Sequence, residues 1–150
     1  MLGLRLGKDQ EHGFTLIEIL VVMVILGLLA AVVVPRLLGR TDDARRTATK
    51  IQIRSIEQAL QLYKLDNGSY PTTEQGLDAL VHKPVIGVIP KHWREGGYLP
   101  KVPKDSWDRS FVYLSPGSDA KREYDLVSLG GDGERGGEGN NADIESWNLD

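Results

Sequence analysis

One apolar run near the start of the chain limits what the remainder can fold into. From Phe14 to Leu38 the only charged side chains are Glu18 and Arg36. About 20 apolar residues are enough for a helix to cross a bilayer. Apolar side chains cover every face of such a helix, which favours a lipid-facing segment over a helix buried in a soluble core. We therefore predict a membrane-spanning helix over residues 14–38.

A carboxylate stands at the start of this run. Placing the Glu18 side chain in hydrocarbon costs roughly 3 kcal/mol unless a partner offsets the cost, so an acidic residue here is by default functional. We therefore expect Glu18 to meet a positive charge.

Composition sets limits on the rest of the chain. At 150 residues and a net charge of −3, the sequence holds one modest domain and one additional element. It has no cysteine, so disulfides and thiolate metal sites are impossible. The sequence lacks the basic stripe with interleaved aromatic residues that nucleic-acid binding requires, and it contains none of the common catalytic motifs. We predict a non-enzymatic protein that does not bind nucleic acid.

A helical pattern continues beyond the apolar run. Small and apolar residues recur mainly at spacings of three and four, at Ala44, Ala48, Ile51, Ile56, Ala59, Leu60 and Tyr63. This periodicity predicts one amphipathic stripe. The helix should end at residues 66–68, where Asn67 or Gly68 can supply a left-handed cap.

The second half of the sequence predicts a small sheet. Thr72 or Thr73 can cap a short helix that ends before Pro84. Two strands are predicted at residues 111–114 and 123–129, joined by a turn as a hairpin. The apolar face of this hairpin would pack on the long helix, which gives an α+β head.

A glycine-rich acidic segment follows the second strand. Its oxygen-bearing residues are Asp132, Glu134, Glu138, Asn140, Asn141 and Asp143. The glycines match a G-x-G-x-x-G string, but carboxylates would repel a phosphate and no helix is predicted after them. An EF-hand is also rejected, because flanking helices are absent. Two alternatives stay open, a solvated acidic loop and an oxygen cage for Ca²⁺. Trp147 favours a tail that folds back and packs.

Three segments carry a family resemblance. Gly13-Phe14-Thr15-Leu16-Ile17-Glu18 resembles the leader junction of type IV pilins and pseudopilins. The segments 68–77 and 124–147 are similar to the major-pseudopilin family of bacterial type II secretion systems. The resemblance implies cleavage between Gly13 and Phe14 by a prepilin peptidase and N-methylation of Phe14. It divides the chain into a leader (1–13), a transmembrane and filament-core helix (14–38) and a periplasmic head (39–150).

The same resemblance implies a structural Ca²⁺ site in the C-terminal loop. Its implied ligands are the Leu129 carbonyl, Asp132, Glu138, Asn140 and Asp143. Glu138 is included because some relatives have a carboxylate where this chain has Gly139. A second departure is Ser106-Trp107-Asp108, where relatives often show Pro-Trp-Gly. In a chain without disulfides, the ion would tie the C-terminal loop to the hairpin.

The resemblance further implies a homopolymeric pseudopilus anchored in the inner membrane, with minor pseudopilins and an inner-membrane assembly platform as partners. The polymer would drive export of folded proteins across the outer membrane. In assembly, Glu18 of an incoming subunit would neutralise the new α-ammonium of Phe14 on its neighbour. The arginines that follow the apolar run oppose a periplasmic head, so this orientation comes from the resemblance alone. Two alternatives are a type IV pilin for adhesion or motility and a membrane-tethered periplasmic Ca²⁺-binding module or enzyme that works as a monomer.

Overall fold

The computed structural model describes residues 14–149, and within α1 it leaves the side chains of residues 32–40 out. The predicted leader, with the cleavage residue Gly13, lies outside the described residues, as do the side chains of residues 32–38 of the predicted span. The chain divides into two units, Met1–Gly39 and Arg40–Asp150, which are described separately. We call the second unit the head.

The first unit carries the beginning of helix α1 (Leu16–Asn67). Thr15 precedes the helix, and its hydroxyl accepts a hydrogen bond from the Glu18 amide at 3.2 Å, which satisfies one of the free amides of the first turn. Glu18 lies in that first turn, where a carboxylate interacts favourably with the helix dipole. All side chains from residue 14 to residue 31 are exposed in the single chain.

Among the described residues, no helix combines the length and hydrophobicity of a membrane span.

In the head, α1 buries one face. Its most buried side chains are Thr49, Ile53, Ile56, Leu60 and Tyr63, at spacings of three and four. The helix ends at Asn67, and Gly68 follows with φ 84° while its amide bonds to the Lys64 carbonyl at 2.7 Å. This is the predicted left-handed cap.

The predicted stripe on α1 is partly wrong. Ile51 is 64% exposed, and Ala44 and Ala48 are also exposed. Ile53 occupies the inward position, and at about 100° per residue Ile51 then lies roughly 160° around the helix from it. The face of α1 that packs in the core therefore starts at Thr49, and Ala44 and Ala48 lie outside it.

The predicted short helix before Pro84 is present as a 3₁₀ helix. The chain forms a turn and then a 3₁₀ helix, Leu77–Leu80. Gly76 precedes it with φ 60°, a conformation that no α-helix can contain. Thr72 still acts as a cap, because its hydroxyl accepts from the Gln75 amide at 3.3 Å while Gln75 Oε1 accepts from the Thr72 amide at 3.0 Å. This exchange has the form of a capping box without the following α-helix.

Three short strands form an antiparallel sheet in the order β1-β2-β3, with β1 at Val112–Leu114, β2 at Asp125–Ser128 and β3 at Ile144–Glu145. The β1–β2 hairpin is the predicted one, and its strands are shorter than predicted. Val112 pairs with Val127, and Ser128 pairs with Ile144. The sequence pattern missed β3, because two residues are too few to show an alternation. All four residues of the central strand are buried.

The sheet and α1 share one hydrophobic core, as the predicted α+β fold requires. The sheet side contributes Phe111, Tyr113, Leu126 and Ile144, all of them buried. Trp93 and Trp107 are partly buried against this core. Tyr124 adds a polar link to the helix, because its hydroxyl donates to Glu57 Oε1 at 3.1 Å.

Candidate functional site

The segment between β2 and β3, residues 129–143, is the candidate metal loop, and we call it the C-terminal loop. Its two ends are joined by backbone hydrogen bonds. The Gly131 amide donates to the Asn140 carbonyl at 3.0 Å, and the Asp143 amide donates to the Gly136 carbonyl at 3.1 Å. The loop is therefore folded on itself.

Glycine is required where this loop packs against its own backbone. A Cβ atom on Gly130 or on Gly137 would lie 2.6 Å from the Asn141 carbonyl oxygen in both cases. Both glycines also have positive φ, at 62° and 77°. The many glycines between residues 130 and 139 are the feature of the sequence that indicates this close backbone packing.

Two predicted ligands lie in the first half of the loop. The Leu129 carbonyl accepts a hydrogen bond from the Gly133 amide at 3.2 Å. Asp132 is exposed, and its Oδ1 accepts from the Glu134 amide at 3.0 Å. These bonds make a tight turn that places Asp132 at its corner.

Asp143 shows the clearest evidence of a missing partner. Its Oδ2 accepts from the Gly136 amide at 3.1 Å. Its Oδ1 is buried and has no hydrogen-bond partner among the described residues. A buried carboxylate oxygen without a donor is costly, and a bound cation would satisfy it. The donor chemistry at this position thus fits an oxygen-preferring metal ion.

The other two predicted ligands lie beside a short 3₁₀ turn, Gly139–Asn141. Asn140 Nδ2 donates to Asp42 Oδ2 at 2.9 Å, so the amide is oriented through its nitrogen and not through the oxygen that a cation would use. Glu138 precedes the turn in an extended conformation with an exposed side chain. Among the described residues, no hydrogen bond joins the Glu138 carboxylate to the rest of the loop.

Across the described residues, no group of three or more His, Asp or Glu side chains is arranged to hold a metal. The predicted set contains three carboxylates, one amide and one backbone carbonyl. Ca²⁺ accepts all of these oxygen types together with water. The set therefore fits Ca²⁺ in its chemistry, although the side chains do not form a closed carboxylate cluster.

The sequence did not predict that Arg109 holds the loop through hydrogen bonds to its backbone. Arg109 Nη1 donates to the Gly130 carbonyl at 2.8 Å and to the Gly131 carbonyl at 2.9 Å. Asp105 fixes Arg109 in turn, because its Oδ1 accepts from the Arg109 amide at 2.9 Å. Nothing in the sequence pairs Arg109 with the glycines, because only the fold brings these distant segments together.

The loop is also attached to α1. Arg46 Nη1 donates to the Ala142 carbonyl at 2.7 Å, and Asp42 receives the Asn140 bond already described. Both helix residues lie within the first two turns of the head. The C-terminal loop therefore sits at the beginning of the head segment of α1.

The prediction for Trp147 is correct only in part. The tail folds back as β3, but the Trp147 side chain is 41% exposed and does not enter the core. The Arg122 guanidinium lies 3.9 Å from the centre of its ring, a cation–π contact. Ile144 and Leu149 supply the apolar packing of the tail instead.

Comparison with known proteins gives matches over nearly the whole chain. Residues 36–147 match the family model of "Type II secretion system (T2SS), protein G". Residues 8–34 match the model of the prokaryotic N-terminal methylation motif.

Individual relatives agree with these matches. The type II secretion system core protein G of Pseudomonas aeruginosa is 53% identical over 93% of this chain and 97% of its own length. That of Vibrio cholerae is 51% identical over 93% of this chain and 94% of its own length. The crystal structure of the major pseudopilin from the type 2 secretion system of enterohaemorrhagic Escherichia coli superimposes with a TM-score of 0.65. The two sequences are 40% identical, and the superposition covers 77% of this chain and 96% of the Escherichia coli chain.

Proposed function

This chain belongs to the family of the type II secretion system protein G, the major pseudopilin, and from that premise we propose how it assembles and acts. It is a structural subunit of the pseudopilus. We propose that its homopolymeric filament grows in the periplasm and drives folded proteins across the outer membrane. The subunit itself carries no catalytic role in this scheme.

The placement of Glu18 is the observation that carries the assembly proposal. Glu18 lies in the first turn of α1, one turn from Phe14, and both side chains are exposed in the single chain. Cleavage between Gly13 and Phe14 would create an α-ammonium at Phe14. Opposite charges attract far more strongly in a low-dielectric medium than in water, so Glu18 of one subunit would pair with Phe14 of the next. That pair would set the register of the helices.

The remaining partners follow from this scheme. Before assembly the segment 14–38 would hold the subunit in the inner membrane as a single span, with the head in the periplasm. A prepilin peptidase would remove residues 1–13 and methylate Phe14, in keeping with the match to the N-terminal methylation motif. An inner-membrane assembly platform would add subunits, and minor pseudopilins would share the filament.

For the C-terminal loop we propose a structural Ca²⁺ ion. The ligands would be the Leu129 carbonyl, Asp132, Glu138, Asn140 and Asp143. Support comes from the buried Asp143 Oδ1 that has no donor and from the all-oxygen chemistry of the set. When bound, the ion would supply charge neutralisation to the loop and would stabilise the folded head by mass action.

The assembly proposal is tested by replacing Glu18 in a secretion-competent host that lacks its own protein G. We expect the full chain to restore secretion and to appear in sheared filaments. Glu18→Leu should enter the membrane normally and yield few filaments, whereas the matched control Ile17→Leu should assemble as the unmodified chain does. A normal filament yield from Glu18→Leu would contradict the pairing. Restoration of pilus motility in a pilin-deficient strain, without secretion, would favour a type IV pilin instead.

A further inference from the structure

The head exposes a compact group of aliphatic side chains that its own core does not use. We call residues 84–90 the knuckle. Val85 and Val88 are 87% and 79% exposed, and Ile86 and Ile89 are 50% and 44% exposed. The prolines at both ends, Pro84 and Pro90, are buried and attach the segment to the head. Neighbouring exposed aliphatic residues of this kind are typical of interaction surfaces.

A buried glutamine holds the knuckle in this conformation. Gln75 Nε2 donates to the Ile86 carbonyl at 2.8 Å and to the Val88 carbonyl at 3.0 Å. Gly87, between them, has φ 64°, and a Cβ atom there would lie 3.4 Å from Gln75 Nε2. Both amide hydrogens of Gln75 are thus used to shape the knuckle. Because the segment is held so firmly, the exposure of its aliphatic side chains is built into the fold.

The two halves of the knuckle differ in their charged neighbours. Glu74 and Asp78 line one cavity together with Val85 and Ile86, whereas Lys91 lines another with Val88 and Ile89, and that second cavity wall includes no acidic residue. No acidic residue occurs between Asp78 and Glu95, and the basic residues of that interval include Lys83 and Lys91, both exposed. The C-terminal loop is mainly acidic and also carries one exposed arginine, Arg135. Asp132, Glu134 and Glu138 are all exposed there. Because Asp132 and Glu138 are proposed Ca²⁺ ligands, the opposite charges that the two surfaces offer each other are those of Lys91 and Glu134.

The two surfaces also lie at opposite ends of the head segment of α1. The wall of one cavity of about 280 Å³ includes Asn67, at the end of α1, together with Val88 and Ile89 of the knuckle. The C-terminal loop is bonded to Asp42 and Arg46, near the start of that segment. At about 1.5 Å per residue, these attachment points are roughly 30 Å apart along the helix.

We propose that the knuckle of one copy docks on the C-terminal loop of the next copy along the filament. This inference rests on the proposed function, because it requires a polymer of this chain. Contacts between two different surfaces of the same protein do not close into a dimer and can propagate as a helical filament. The charges would orient successive heads, and the aliphatic side chains would be buried between them.

Thiol cross-linking of the full chain tests this contact, because the natural sequence has no cysteine. Val88→Cys and Glu134→Cys are combined in one chain and expressed in the secretion-competent host, where a short bismaleimide is added to intact filaments. Glu134 is chosen because it is not one of the proposed ligands. We expect a ladder of covalent oligomers from the double variant. The control pair, Gln58→Cys with Glu134→Cys, replaces an exposed helix position and should give no ladder.

Three results would overturn the docking proposal while leaving the proposed function intact. They are filaments without a ladder, dimers from Val88→Cys alone, and cross-links only to another host protein. If no filaments form at all, the proposed function fails and the docking proposal fails with it.

A charge exchange adds a second readout. We expect Lys91→Glu to lower filament yield several-fold and Glu134→Lys in the same chain to restore it, and the absence of restoration would contradict the proposed charge pairing.

Discussion

The Ser128 hydroxyl donates a hydrogen bond of 2.7 Å to Asp105 Oδ2, and both residues are buried. The other carboxylate oxygen of Asp105 accepts from the Trp107 and Arg109 amides at 3.0 and 2.9 Å. One buried carboxylate thus joins the central strand to the turn that carries Arg109. Since Arg109 in turn holds the Gly130 and Gly131 carbonyls, the order of the C-terminal loop depends on Asp105.

Replacing Asp105 should therefore be strongly destabilising. Asp105→Ala removes three hydrogen bonds and leaves the buried Ser128 hydroxyl without its acceptor, so we expect a loss of about 2–4 kcal/mol in the free energy of unfolding. Urea titration of the full chain in detergent measures this loss. The control Glu95→Ala changes an exposed residue and should stay within about 0.5 kcal/mol. Equal effects of the two substitutions would contradict the role assigned to Asp105.

Asp108 is the second testable position in that turn. It has φ 63°, in the left-handed region that glycine adopts most readily. Asp108→Gly should change the free energy of unfolding by no more than about 0.5 kcal/mol, because relief of strain offsets the greater freedom of the unfolded chain. Asp108→Val should cost about 1–2 kcal/mol, because a β-branched side chain tolerates this conformation poorly. Thermal unfolding of both variants ranks them, and the reverse order would refute the argument.

The pH dependence of stability should report on Asp125. Burial would raise the pKa of Asp125, but hydrogen bonds from Arg122 and Ser118 outweigh burial and hold the pKa below its usual value. A carboxyl whose pKa is lower in the folded chain contributes stability above its unfolded pKa of about 3.9 and loses it as pH falls through the folded pKa. Asp125→Asn should flatten the fall of the unfolding free energy below about pH 4. An unchanged acid profile would show that this carboxylate does not control acid stability.

Removal of Ca²⁺ tests the proposed metal site. Ca²⁺ at 100 times its dissociation constant should stabilise the folded chain by about 2.7 kcal/mol, and chelation should remove that increment. Asp143→Ala should abolish the response of the melting temperature to Ca²⁺, whereas Glu134→Gln, outside the proposed ligand set, should retain it. A melting temperature that chelation leaves unchanged would count against the site.

The sequence specified the elements whose signals are long or chemically distinctive. The end of α1 at Asn67 and the β1–β2 hairpin were predictable, because an amphipathic run, a glycine cap and a turn mark them. The inward face of α1 was only half predictable. Periodicity gives the spacing of apolar residues but not which of two apolar positions, Ile51 or Ile53, faces the core.

Long-range polar contacts account for what remained unpredictable. The support of the C-terminal loop by Arg109 and Arg46 joins segments far apart in sequence, and neither arginine belongs to a local motif. The exposure of the aliphatic side chains in the knuckle could not be predicted either. A run of valine and isoleucine between prolines predicts burial, and only the two hydrogen bonds from Gln75 explain why these side chains are presented to solvent.

The intact mass of the subunit recovered from sheared filaments shows whether this chain is cleaved, methylated and polymerised as a pseudopilin. The full chain is expressed with the secretion apparatus and a prepilin peptidase, and filaments are isolated before mass spectrometry. We expect a filament subunit that begins at Phe14 and carries one added methyl group. A subunit that retains residues 1–13, or the absence of this chain from the filament fraction, would contradict it.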